Sequence, residues 1–258
     1  VRPLAGVTTV EEVEEYNFPA PLAPARFELA KENIRKYSDE YAIVGDLEAT
    51  VFELAWNLVG LEDFLMDMYM EEPYIDAVLD KCADFNMAIG KRLTELGCDM
   101  VWLGDDVGTQ ENLMMSPEVY RRVLLPRLKR IIKGIKSINP NVKIAYHSCG
   151  AIEPLIADFI NAGIDVLNPI QPQAAGMNPK EIKEMYGSKL AFMGAVDVQG
   201  ALPKGSVQDV KEEVKLRIEQ MGANGGYILA PAHNIQPDTP AENIYAMFEA
   251  VKEFGVYR

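Results

Sequence analysis

The chain contains two histidines, and each follows a short apolar run that ends in a loop. His147 closes the run Lys143-Ile144-Ala145-Tyr146 and precedes Ser148-Cys149-Gly150. His233 follows Tyr227-Ile228-Leu229-Ala230-Pro231-Ala232 and precedes Asn234. Imidazole nitrogen and thiolate sulfur are both good zinc ligands, and His147 and Cys149 offer one of each, two positions apart. His147, Cys149 and His233 together would make three protein ligands and leave a fourth position for substrate, the layout of a catalytic site rather than a structural one. The same residues also fit a metal-free polar pocket in which the imidazoles only hydrogen-bond.

Carboxylates stand at comparable places. Asp105 and Asp106 follow the run Met100-Val101-Trp102-Leu103-Gly104, and Asp197 follows Leu190 to Val196. Each can be read as a general base, a metal ligand or a substrate acceptor, or as a helix cap. Neighbouring residues in extended chain point opposite ways, so one of Asp105 and Asp106 is expected to face the site. Asp197, Glu212 and His233 form a second carboxylate–carboxylate–imidazole set, but Glu212 falls within a helical pattern and ranks lower.

The elements that position these residues alternate. Strand patterns cover 41–45, 99–103, 143–146, 166–168, 190–194 and 227–230. Helical patterns cover 25–37, 51–70, 73–96, 117–138, 152–162, a short stretch after Asn178-Pro179, 207–221 and 240–254. The strands are short and rich in Val, Ile and Leu without alternation, as in a parallel sheet covered on both faces. Such alternation defines the α/β class. No Gly-x-Gly-x-x-Gly loop follows a strand, which removes support for a dinucleotide-binding doubly wound sheet. A (β/α)8 TIM-type barrel instead gathers Asp46, Asp105, Asp106, His147, Asn168, Asp197 and His233 at one mouth. The expected organisation is an irregular and helical N-terminal segment, 1–40, followed by the barrel domain, 41–258. The start Val1-Arg2-Pro3-Leu4 carries no Met, and the reading expects the barrel's N-terminal portion to be missing.

With 258 residues, 48% of them hydrophobic, the chain is long enough for one large core. A net charge of −14 argues against nucleic acid and against an anionic membrane surface as partners. No apolar run is long enough to span a bilayer. Three cysteines make no disulfide framework, which points to a reducing cytoplasm. Cys82 and Cys98 read as small buried apolar residues.

Read together, several strings resemble the uroporphyrinogen decarboxylase superfamily. They are Asp105-Asp106-Val107-Gly108-Thr109-Gln110 with Met115-Ser116-Pro117-Glu118, His147-Ser148-Cys149-Gly150, Asn168-Pro169-Ile170-Gln171, Gly194-Ala195-Val196-Asp197, and His233-Asn234-Ile235-Gln236-Pro237. The closer likeness is to its branch of cobamide-dependent methyltransferases of anaerobic one-carbon metabolism. The resemblance implies a (β/α)8 barrel, bound Zn²⁺, and transfer of a methyl group between a small substrate (methyl ether, methylamine or thiol) and a corrinoid on a separate protein. No Asp-x-His-x-x-Gly corrinoid motif occurs in this chain. The branch binds zinc through a His-x-Cys pair, matched by His147 and Cys149, and a later Cys, where this chain has His233. It implies further that Asp106, His147, Asp197 and His233 act in catalysis, and that Asp105, Gln110, Asn168, Gln171 and Asn234 bind substrate. The alternatives are a metal-free decarboxylase (a carboxy-lyase) acting on a porphyrinogen or a smaller acid, and a non-catalytic subunit that binds a corrinoid protein. The porphyrinogen version is disfavoured because Arg121, Arg122, Arg127, Arg130 and Arg217 fall in helical patterns, away from strand ends. Assembly as a homo-oligomer is left open.

Overall fold

The computed structural model describes residues 2–256. Six strands are resolved: β1 Val44–Glu48, β2 Met100–Gly104, β3 Lys143–His147, β4 Val166–Ile170, β5 Ala191–Val196 and β6 Tyr227–Pro231. The helices in chain order are α1 Val10–Glu15, α2 Glu28–Tyr37, α3 Phe52–Val59, α4 Leu61–Met70, α5 Pro73–Leu96 and α6 Pro117–Val123. They continue with α7 Leu125–Lys136, α8 Ile156–Ala162, α9 Pro179–Tyr186, α10 Ala201–Lys204, α11 Val207–Met221 and α12 Ala241–Phe254.

The strands form one sheet in the order β1-β2-β3-β4-β5-β6, and the pairings β1–β2, β4–β5 and β5–β6 are parallel. A sheet that advances one strand at a time without reversing is wound as in a barrel; a doubly wound sheet reverses at a switch point. The α/β class and parallel winding therefore match the expectation. The eight-stranded closure does not appear, because β1 and β6 are the sheet's outer strands among the described residues. β4 is buried at every position, whereas β1 alternates and β6 is only partly covered.

The chain divides into two compact units interleaved along the sequence. One holds residues 1–106, 115–146 and 161–164. Its core is built on the long helix α5, which packs against α7 and α3. Phe52, Phe64, Val78, Leu79, Leu103, Ile131 and Ile135 are fully or almost fully buried. Arg127 of α7 clamps Asp76 and Asp80 of α5 at 2.8 and 3.0 Å. The N-terminal helices lean on α5 within this unit: Val13 and Phe27 are buried, and Lys81 donates to the Glu14 and Tyr16 carbonyls.

The other unit holds residues 107–114, 147–160 and 165–258. α11 and α12 pack over β5, and Val196, Leu202, Val210, Val214, Met247 and Ala250 form its apolar cluster. Asn243 of α12 is buried and spends its amide N–H groups on the Leu202 and Gly205 carbonyls. Pairing between β4 and β5 slips between Leu167 and Ile170, around Pro169, which has no N–H to give the ladder. The Asn168–Pro169 peptide is cis.

Candidate metal and active site

The chemistry-bearing groups of the second unit gather where β3 ends. His147 is the last residue of β3 and is 7% exposed, while Cys149 is half-buried in the loop that follows. Nε2 of His147 lies 3.4 Å from Sγ of Cys149. Two such atoms on one tetrahedral zinc would stand about 3.6 Å apart, from Zn–N near 2.05 Å and Zn–S near 2.3 Å. The pair therefore fits a shared metal with almost no movement.

Two glycines let this loop sit where it does. Gly150 has φ +88°, and a Cβ on it would meet the Thr109 carbonyl oxygen at 2.5 Å. A Cβ on Gly108 would meet the Cys149 carbonyl oxygen at 2.7 Å. The segments 107–109 and 149–151 thus pass in backbone contact, tied by the Ala151 N–H donating to the Thr109 carbonyl at 2.8 Å. Ser148, which sequence reasoning passed over, is fully buried, and its Oγ accepts from the Val107 N–H at 3.2 Å. Its place between two candidate ligands was the only signal.

Asn168 and Gln171, expected at the substrate, are both buried and both reach toward this loop. Nδ1 of His147 is 2.7 Å from Oδ1 of Asn168, and Nδ2 of Asn168 donates to the Met193 carbonyl at 3.2 Å. Oε1 of Gln171 accepts from the Gly150 N–H at 2.8 Å. His233 stands in the exposed loop after β6, with its ring centroid 6.3 Å from that of His147 and the planes at 72°. Two imidazoles on one tetrahedral zinc would have centroids about 5.2 Å apart. His233 therefore sits about 1 Å beyond a ligand's position, in a loop open to solvent.

The remaining expected site residues have other partners. Asp197 accepts from the N–H groups of Gln199, Gly200 and Ala201, so its carboxylate caps the start of α10. Glu212 is exposed on α11 and accepts from Gln208 one turn earlier. Gln110 and Asn234 lie in exposed loops.

In the first unit, Asp105 is 4% exposed and accepts from the Val51 and Glu53 N–H groups, which commits it to the N-terminus of α3. Burial pushes its carboxyl up to about 8, against the lowering effect of those same N–H donors. Asp106 is half-buried, and its N–H donates to Oε2 of Glu53. Of the neighbouring pair, Asp105 is the one whose carboxylate receives backbone donors from the start of α3. Cys82 and Cys98 are buried, as expected of small apolar residues, and burial pushes both thiols up.

A parallel α/β sheet of barrel winding, with an imidazole and a thiol paired at the end of a central strand, defines the class of this protein. The chain belongs to the uroporphyrinogen decarboxylase (URO-D) family, whose model matches residues 4–254. It is 26% identical over 231 residues to the methylcobamide:CoM methyltransferase MtaA of Methanosarcina barkeri, covering 90% of this chain and 64% of that protein. Methylcobamide:CoM methyltransferase MtbA of Methanosarcina mazei is 26% identical over 85% of this chain and 60% of its own length. Uroporphyrinogen decarboxylase of Thermus thermophilus is 27% identical over 72% of this chain and 50% of its own length. A solved structure of a methyltransferase from Methanosarcina mazei superposes with a TM-score of 0.77 at 27% identity, covering 95% of this chain and 69% of that one. The chain thus spans less than two thirds of the curated relatives named here. No helix among the described residues is long and apolar enough to cross a membrane.

Proposed function

We propose that the protein is a zinc-dependent methyltransferase that moves a methyl group between a small substrate (a methyl ether, methylamine or thiol) and a corrinoid carried by a separate protein. The observation that carries this reading is the 3.4 Å His147–Cys149 pair, which fits one metal, in a chain similar to methylcobamide:CoM methyltransferases. When bound, zinc supplies Lewis acidity, which lowers the pKa of a thiol or polarises an ether oxygen. His147 and Cys149 would hold the ion, with His233, whose ring centroid lies 6.3 Å from that of His147, as the candidate third ligand. Asp106, which follows β2, is the residue proposed to move a proton. Gln110 and Asn234, on exposed loops, are the residues proposed to hydrogen-bond substrate. None of the three cysteines is in a disulfide, in keeping with a reducing cytoplasm.

The Thermus relative favours a second reading, decarboxylation. Against a porphyrinogen substrate stands the composition of the strand-end loops. Residues 49–51, 105–116, 148–152, 171–178, 197–200 and 232–240 contain no Lys or Arg. A substrate with many carboxylates needs such cations. The arginines named in the sequence reading lie on α6, α7 and α11, and Arg127 and Arg217 are engaged by acidic side chains.

The test is methyl exchange between methylcobalamin and a panel of thiols, with CO₂ release from candidate acids measured in parallel. The account expects zinc-dependent methyl transfer that His147→Ala abolishes. Transfer at the wild-type rate in His147→Ala, or CO₂ release without any methyl transfer, would overturn it.

A further inference from the structure

We infer that Asn168 and Gln171 are positioning residues that hold the His147–Cys149 pair in ligating geometry, and that they do not bind substrate. The inference rests on the zinc reading above and deepens it. Asn168 lies within β4 and Gln171 directly follows it; both are 6% exposed, and their amide oxygens face His147 and the Gly150 N–H.

The orientation of the Asn168 amide is set by Met193. Only the NH₂ end can face the Met193 carbonyl, so the oxygen end faces His147. An amide oxygen only accepts, so Nδ1 of His147 must carry the proton and donate across the 2.7 Å contact. This leaves Nε2, the nitrogen that faces Cys149, as the ligating atom. The chain Met193 carbonyl, Asn168 amide, His147 imidazole thus selects one tautomer and fixes the ring's rotation. Partners on the non-ligating nitrogen commonly do this for metal-bound histidines.

Gln171 acts on the other ligand. Its Oε1 accepts from the N–H of Gly150, the residue directly after Cys149, at a position with φ +88°. The loop is thereby held from both sides of Cys149. The Ser148 N–H also donates to the Asn168 carbonyl at 2.8 Å, so Asn168 and Gln171 together hold the segment at His147, Ser148 and Gly150. The Asn168 amide, matched at both its oxygen and its nitrogen, has little left to offer a substrate.

The chain's two histidines make a direct test practical. In metal-free wild-type protein labelled with ¹⁵N-histidine, one imidazole is expected as the Nδ1–H tautomer, assigned to His147 by its loss in His147→Ala. Finding His147 protonated on Nε2 alone would overturn the inference. Zinc affinity, measured by competition with a chromophoric chelator, is expected to fall by about 10–100-fold in Asn168→Ala. Asn168→Asp, which still accepts from Nδ1–H, is expected to retain affinity close to wild type. The ligand-field spectrum of bound Co²⁺ should change in Asn168→Ala and Gln171→Ala and persist in Asn168→Asp. Wild-type affinity in Asn168→Ala overturns the positioning role alone. Failure of the wild-type protein to bind zinc overturns the metal reading beneath it.

Discussion

At Asp105 two effects oppose each other on one carboxyl. Helix α3 aims its N-terminal N–H groups at the side chain, which favours the anion. Removal from water favours the acid and wins, raising the pKa from 3.8 to about 8. A raised folded-state pKa means that the folded protein holds a proton that the unfolded chain has released. The stability this contributes is fully present below about pH 4 and is lost as pH rises through about 8. Thermal melts of wild type should therefore show Tm declining across that window. Asp105→Asn should flatten the decline while lowering Tm overall, because its amide cannot accept every N–H that the carboxylate does. An unchanged slope in the variant would assign the pH dependence to other groups. The same residue shows a limit of sequence reasoning. An aspartate after a strand looks alike whether it faces a substrate or caps a helix whose start lies 54 positions earlier. The partners of Asn168 and Gln171, His147 and Gly150, are likewise distant in sequence, each 21 positions away.

At the scale of elements, the loop after β3 depends on the absence of side chains at Gly108 and Gly150. Gly150→Ala meets two penalties: a left-handed backbone, costing about 1–2 kcal/mol, and a Cβ 2.5 Å from the Thr109 carbonyl. Gly97 is the matched control, with φ +102° at the end of α5 and nothing within 4 Å of an added Cβ. Strain of that size lowers Tm by roughly 2–8 °C in a chain of this length. Gly150→Ala should lose more than Gly97→Ala and should also lose zinc uptake, which Gly97→Ala keeps. Equal effects on Tm and on zinc would show that the loop contact carries nothing.

Most elements were legible because apolar runs and caps mark them; α5 and α11 fall where their periodicity predicts. Three departures have local causes. The helix expected over 117–138 breaks at Leu124, because Pro126 starts a new helix, α7, in its first turn. The strand expected at 41–45 forms at Val44–Glu48 instead, after Asp99 accepts from the Ile43 N–H. α1 was missed although Thr9 and Glu12 form a reciprocal capping box that the sequence does display.

For the whole molecule, 39 acidic against 25 basic residues leave a net charge of −14. Several ion pairs, such as Lys31–Glu28 and Lys252–Glu249, are exposed contacts within single helices, and such pairs contribute little. Self-repulsion should therefore limit stability at low ionic strength. Raising salt from about 0.01 to 0.15 M shortens the screening length from about 30 to 8 Å, and Tm should rise with it. A fall in Tm would mean that attractive pairs dominate. The class and winding of the sheet were readable from alternation alone. Closure into eight strands was not, because the pattern yields only six strands and pairing at a sheet edge leaves no mark in the sequence.

The central claim is that His147 and Cys149 hold a metal, and the most direct measurement is metal content per chain by elemental analysis on protein purified without chelator. About one zinc per wild-type chain, lost in His147→Ala and in Cys149→Ala, is the predicted result. Wild-type protein free of zinc that also fails to take it up when zinc is supplied would contradict the account.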